Sequence, residues 1–182
     1  MTALVSFVDA MTALVERTQD EPSLLAEGRR HLSQLIDDDR WLPATYRQPR
    51  SDRYAQYPLH RDPQGRFSVV SFVWGPGQST PVHNHTVWGL VGVLLGAESC
   101  DEYRWDGHRP VSAGHQHTLV CGQIEAVSPR LGDWHRVSNA LADRASISIH
   151  VYGADIGLVK RQRMDEHGQL LDFVSGYDTP PS

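Results

Sequence analysis

Ten of the 182 residues are histidine, and two of them, in Gly77-Gln78-Ser79-Thr80-Pro81-Val82-His83-Asn84-His85, are spaced to act together. On an extended strand, residues i and i+2 project to the same face. Two imidazoles at that spacing can bind one metal ion. The run follows a Gly75-Pro76-Gly77 turn and precedes the apolar segment Val87 to Leu95, which predicts that it faces the interior of a β structure. A second pair, His115 and His117, has the same spacing without the flanking glycines. Those two are expected to be exposed where a loop enters a strand, and His31, His60, His108 and His167 to be solvated.

The segment Ser146-Ile147-Ser148-Ile149-His150-Val151-Tyr152-Gly153 carries a different pattern. In a strand, Ser148, His150 and Tyr152 share one face, and Ile147, Ile149 and Val151 share the other. A row of hydroxyl, imidazole and phenol is costly to bury unless its members hydrogen-bond one another.

These residues need elements to hold them. Leu4, Val5, Val8, Met11, Leu14 and Val15 recur at helical spacing, predicting an amphipathic helix over 4–15. A second helix is expected to start after Asp20, with Pro22 in its first turn, and to run to the acidic stretch Asp37-Asp38-Asp39. Beyond Trp41, short alternating stretches follow: Arg53 to Leu59, Phe67 to Trp74, Val87 to Leu95, Cys100 to Trp105, His117 to Val120, Trp134 to Val137 and Ala145 to Tyr152. Breaks such as Asp62-Pro63-Gln64-Gly65 and Asp106-Gly107 separate them. Many short strands with no helices between them favour an antiparallel sandwich or small barrel, so the fold class is mainly β. The chain is expected to be one domain over 1–182, with a helical part at 1–40, a β-barrel core at 53–153 and a covering segment at 154–182.

Composition narrows the partners. A chain of this length can bury roughly two thirds of its unfolded surface without a metal or disulfide, so a metal site would serve chemistry. The formal charge is −5, from 17 Lys+Arg against 22 Asp+Glu. The basic residues are scattered, so nucleic acid is not an expected partner. The run Val87 to Ala97 is eleven residues with three glycines, short of the ~18 that a membrane span requires. The first residues lack a basic leader and place Asp9 among apolar neighbours, which does not read as a signal peptide. The two cysteines, Cys100 and Cys121, lack CxxC spacing and are expected to be free thiols in a cytoplasmic protein.

A third histidine, His135, lies in Pro129-Arg130-Leu131-Gly132-Asp133-Trp134-His135-Arg136-Val137-Ser138-Asn139. Together the two histidine segments resemble the cupin superfamily. Its first motif reads here as Gly77, His83, His85, Gly89 and Gly96, with the usual glutamate replaced by Gly89. The second reads as Pro129, Gly132, His135 and Asn139, with one extra residue between proline and glycine. Three neutral imidazoles leave the full charge on a divalent ion, which then favours an anionic ligand such as a thiolate. Copper, nickel and zinc accept three histidines as iron does.

The row Ser148, His150 and Tyr152 resembles the Ser-x-His-x-Tyr motif of the cysteine dioxygenase family, the cupin thiol dioxygenases. The resemblance implies Fe(II) held by His83, His85 and His135, a small thiol and O2 as the reacting partners, and a sulfinate product. It also implies that Ser148 and His150 support Tyr152, whose hydroxyl would face oxygen or substrate. Mammalian members cross-link this tyrosine to a cysteine a few residues after the histidine pair. Gly89 to Gly92 occupy that neighbourhood here, so no cross-link is expected. Gln56 and Arg161 match the pattern of a bacterial group that resembles 3-mercaptopropionate dioxygenases, which implies that Arg161 binds the substrate carboxylate. The expected substrate is 3-mercaptopropionate. L-cysteine is the alternative, and a cupin that binds a metal or ligand without turnover, or a metal-dependent isomerase, is the alternative of another class.

Overall fold

A computed structural model describes residues 2–181. Helices α1 (Ala3–Arg17) and α2 (Glu21–Ile36) lead into ten strands. Thr2 and Asp20 cap the helices by accepting from Val5 N and Ser23 N, and Pro22 sits in the first turn of α2. Both caps satisfy amides that helix geometry leaves without a partner.

The strands are β1 (Ala55–Arg61), β2 (Ser68–Trp74), β3 (Gly89–Leu95), β4 (Ala97–Trp105), β5 (Pro110–Val120), β6 (Ile124–Val127), β7 (Trp134–Asn139), β8 (Ser146–Tyr152), β9 (Arg161–Met164) and β10 (Leu170–Phe173). Five form one sheet in the order β1-β2-β8-β3-β6, three form a second in the order β5-β4-β7, and β9 and β10 pair as a hairpin. All pairings are antiparallel.

The five-stranded sheet is buried on both faces. On one, Ile147, Ile149 and Val151 pack with Val69, Val73 and Leu90 against Phe7, Met11, Leu32 and Ile36 of the helices. Burying an aliphatic side chain fully, as for Leu32 and Ile149, stabilises by roughly 1.5–3 kcal/mol. The other face looks into the barrel, where Val70, Phe72, Trp74, Cys100, Val137 and Tyr152 form a second cluster. The period of two therefore sends the isoleucines of β8 to the helices and its polar row into the barrel.

Several expectations need correction. β5 begins at Pro110 rather than His117, because an edge strand exposed on both faces shows no apolar alternation and is held by its ladder to β4. β6 has four residues and escapes periodicity. The histidine pair lies in an extended segment fixed by isolated bridges rather than in a regular strand, since Pro81 has no N–H to give a ladder. The covering segment, expected as a strand and a tail, contains two paired strands, the β9–β10 hairpin. His60 is half-buried, its ring tilted against Phe67 with 5.1 Å between centroids, and burial lowers its pKa.

Candidate metal centre and adjoining cavity

His83 and His135 exchange backbone hydrogen bonds in both directions, at 3.0 and 3.1 Å, which locks the two histidine segments side by side. On the other flank of His83, Met164 N donates to Val82 O, Asn84 N to Gln162 O, and Gln162 N to Asn84 Oδ1. The segment is thereby stapled between β7 and β9. The three rings of His83, His85 and His135 converge, with centroids 4.8–4.9 Å apart in every pair. Their ligating nitrogens lie within 4.8 Å of one another.

Each ring is aimed by its other nitrogen. His83 Nδ1 lies 3.1 Å from Pro81 O, which can only accept, so the proton sits on Nδ1 and Nε2 keeps its lone pair. His85 Nδ1 donates to Asp133 Oδ1 at 3.1 Å. His135 Nδ1 lies 3.5 Å from the Sγ of buried Cys100. Such outer contacts fix tautomer and ring orientation in metal sites. Burial and the neighbouring imidazoles lower the pKa of His83 to about 3 and hold His135 well below its ordinary value, so both are neutral and free to ligate. The donor set fits a divalent ion of borderline softness with open positions.

Asp133 and Cys100 were missed as supports by the sequence reading. Burial alone would raise Asp133, but the His85 ring and the amides of His85 and Thr86 hold its carboxyl below the ordinary range. Its position two residues before His135 was the available signal. The clamp also holds Thr86 in a left-handed conformation, φ 62°, at which its hydroxyl donates to His85 O. A non-glycine residue there is strained unless its surroundings fix it.

Beside the histidines, β8 presents its polar row. Ser148 Oγ is 2.8 Å from His150 Nε2, and His150 Nδ1 is 2.8 Å from Tyr152 Oη. Trp74 Nε1 donates to Ser148 Oγ at 3.2 Å, and Phe72 stacks on His150 at 4.0 Å. Burial keeps His150 neutral and pushes the Tyr152 phenol well above its usual value.

A cavity of about 260 Å³ opens between His83, Tyr152, Gln56, Tyr54 and Arg161. Arg161 is 5% exposed. Its Nη2 donates to Ser175 Oγ at 2.7 Å, its guanidinium lies 4.7 Å from the Phe173 ring centroid, and its Nε has no partner. Among the described residues it makes no ion pair. Tyr54, stacked on Trp74 at 4.7 Å, was also missed, although alternation places it on the face of Gln56.

The structure thus brings His83, His85 and His135 together, lines the cavity beside them with Gln56, Tyr152 and Arg161, and links Ser148 and His150 behind Tyr152. His115 and His117 stand apart on β5 against Glu102, with His117 half-buried rather than exposed because it also reaches Glu125.

A family model described as cysteine dioxygenase type I matches residues 37–163. The chain belongs to the cysteine dioxygenase type I family. The match takes in the three histidines, the polar row of β8 and Arg161. Among solved structures, this cysteine dioxygenase family member is similar to an uncharacterized conserved protein with a double-stranded β-helix domain from Klebsiella pneumoniae, at 18% identity over 64% of this chain and 91% of that one, TM-score 0.49. It is also similar to a cupin 2 domain-containing protein from Halorhodospira halophila, at 18% identity over 66% and 77%, TM-score 0.49. A Cupin 2 conserved barrel domain protein from Salinispora arenicola matches at 20% identity over 63% and 87%, TM-score 0.46. The fold of this family member is mainly β, two helices followed by antiparallel sheets. None of its described helices is long and apolar enough to cross a membrane.

Proposed function

We propose that this protein is an Fe(II)-dependent thiol dioxygenase that adds both atoms of O2 to the sulfur of 3-mercaptopropionate, giving 3-sulfinopropionate. The observation that carries this reading is the buried guanidinium of Arg161, without a protein carboxylate, across a small cavity from the His83 side of the histidine triad. An unpaired buried cation calls for an anionic ligand, and its fork suits a carboxylate through two parallel hydrogen bonds. His83, His85 and His135 would hold Fe(II), which when bound would supply a charged centre for a thiolate and O2.

The chain's own groups do the rest. Arg161 binds the carboxylate, and Gln56 offers an amide beside it. Tyr54 and Phe72 supply apolar wall that excludes water. Tyr152, protonated because burial raises its pKa, presents a hydrogen-bond donor held in place by His150. The cavity is smaller than the ~300–1,000 Å³ of sites for drug-sized ligands, which suits a molecule of a few heavy atoms. Among the described residues no carboxylate lines it, while Arg53 and Arg163 do. The ammonium of L-cysteine would therefore enter without a counter-charge and be repelled.

Oxygen uptake by the iron-loaded protein tests the reading, with 3-mercaptopropionate and L-cysteine compared and the sulfinate product quantified. Uptake matched by sulfinate, with higher kcat/KM for 3-mercaptopropionate, is expected. Equal or better efficiency with L-cysteine would replace the substrate, and no uptake with any thiol would leave a cupin that binds without turnover.

A further inference from the structure

One buried acid lies outside both the histidine triad and the cavity wall. Glu98 on β4 is 1% exposed, and neither of its carboxyl oxygens makes a well-aligned hydrogen bond. Its neighbours are the hydroxyls of Ser148 and Ser146 on β8 and the indole N–H of Trp74 on β2. Ser146 Oγ is likewise buried without a partner. Glu98 therefore stands at the end of the row Ser148–His150–Tyr152 that lies farthest from the cavity.

We propose that Glu98 is a positioning residue whose protonation state sets the direction of every hydrogen bond in that row, and so decides whether the Tyr152 hydroxyl donates into the cavity or back to His150. The inference rests on the dioxygenase reading only for the use made of that hydroxyl. The protons available to the row fix its directions. Ser148 Oγ has one proton and two lone pairs, and Trp74 occupies one lone pair. Neutral His150 has one N–H and one bare nitrogen.

With Glu98 neutral, its O–H donates to the second lone pair of Ser148. Ser148 donates to His150 Nε2, and His150 Nδ1–H donates to Tyr152 Oη. The Tyr152 proton is then free to point into the cavity. With Glu98 ionised, the row holds one proton fewer and every bond reverses. Ser148 donates to the carboxylate, His150 carries its proton on Nε2, and Nδ1 accepts from Tyr152, whose hydroxyl is turned away from the cavity.

Burial raises the Glu98 pKa to about 8, with Ser148, Ser146 and Trp74 pulling part of the way back. No charged side chain offsets that cost. Across from Glu98, β7 and β5 present Asn139 and Leu119 in register. The other titratable groups nearby are Cys100 on its own strand and, beyond Ser148, His150 and Tyr152. At neutral pH the acid form prevails, and the row points toward the cavity.

The test is the tautomer of His150 in the full chain, uniformly labelled with 15N-histidine and loaded with zinc, followed by NMR from about pH 6 to about pH 10. Loss of the signal in His150→Gln assigns it. In the wild type His150 should carry its proton on Nδ1 below a midpoint near 8 and on Nε2 above it. Glu98→Gln, isosteric and without a titration, should hold one tautomer throughout, and Glu98→Met, which offers Ser148 no partner, should hold Nδ1–H throughout. In iron-loaded enzyme the advantage of wild type over Tyr152→Phe should shrink about 10-fold above the midpoint and stay constant in Glu98→Gln. A wild-type tautomer that never changes, or a step that persists in both Glu98 variants, overturns the proposal. Because the tautomer is read without turnover, failure of the dioxygenase reading would leave that result standing.

Discussion

Gly89 and Tyr152 lie directly opposite each other on β3 and β8, so close that a Cβ on Gly89 would sit 2.8 Å from Tyr152 Cδ1. The glycine that replaces the usual cupin glutamate is thus the seat of the tyrosine ring. Gly89→Ala should destabilise by about 1–3 kcal/mol through overpacking. It should also displace the hydroxyl from His150, lowering turnover roughly 10-fold with iron content unchanged. Urea unfolding, metal analysis and oxygen uptake check this, and wild-type turnover would show that the ring yields freely.

Replacing His83, His85 or His135 by Ala should each empty the metal site, whereas the double change His115→Ala/His117→Ala should leave metal content near one per chain. Asp133→Asn should weaken metal affinity by about 10–100-fold, because it loosens the orientation of His85. Metal analysis after dialysis against a graded chelator distinguishes the three cases.

How much of this was readable beforehand depended on period and motif. The two helices and the alternation of β8 were legible because burial on one face imposes a regular pattern, and the triad was legible because its spacing matches two motifs. Asp133, Cys100, Tyr54 and Glu98 were not. Each acts through a partner distant in sequence, and nothing local distinguishes buried Glu98 from the more exposed Glu102 on the same polar strand. Beside Lys160 and Arg163, Arg161 carries no local mark that separates it from a solvated basic run, and the structure buries it where β9 runs beside the histidine segment and Phe173 and Ser175 cover it.

Tyr152→Phe removes one hydroxyl and keeps the ring against Gly89. Folding and iron content should survive, while turnover falls about 10–100-fold with the loss of a positioned donor. Unchanged turnover across pH would mark the row as structural.

Arg161→Ala should raise KM for 3-mercaptopropionate by about 10-fold or more, since a charge-assisted bidentate contact is lost. Relief of a buried unpaired cation should leave the fold intact. Steady-state kinetics beside a melting curve settle it: an unchanged KM would remove Arg161 from the substrate site.

Asp62 caps the turn into β2, accepting from the Arg66 guanidinium and from the amides of Arg66 and Gln64, and these bonds lower its pKa to about 2. Its folded value lies below the unfolded ~3.9. The stability it contributes is therefore complete above that pH and is lost as pH falls toward about 2. The loss should be on the order of 2 kcal/mol. Asp62→Asn should flatten the acid limb of the stability profile measured by urea titration.

Gln56 N donates to Asp178 Oδ2, Asp178 N donates to Gln56 O, and Arg53 grips the same carboxylate, which straps residues 173–178 over the cavity. Arg161, Phe173 and Ser175 all follow His135, the last of the three converging histidines, in the chain. β9 carries Arg161 and also flanks the His83 segment, so a chain cut after β8 would lose the cation of the cavity wall and one of the two flanks that hold the histidine pair in a single step.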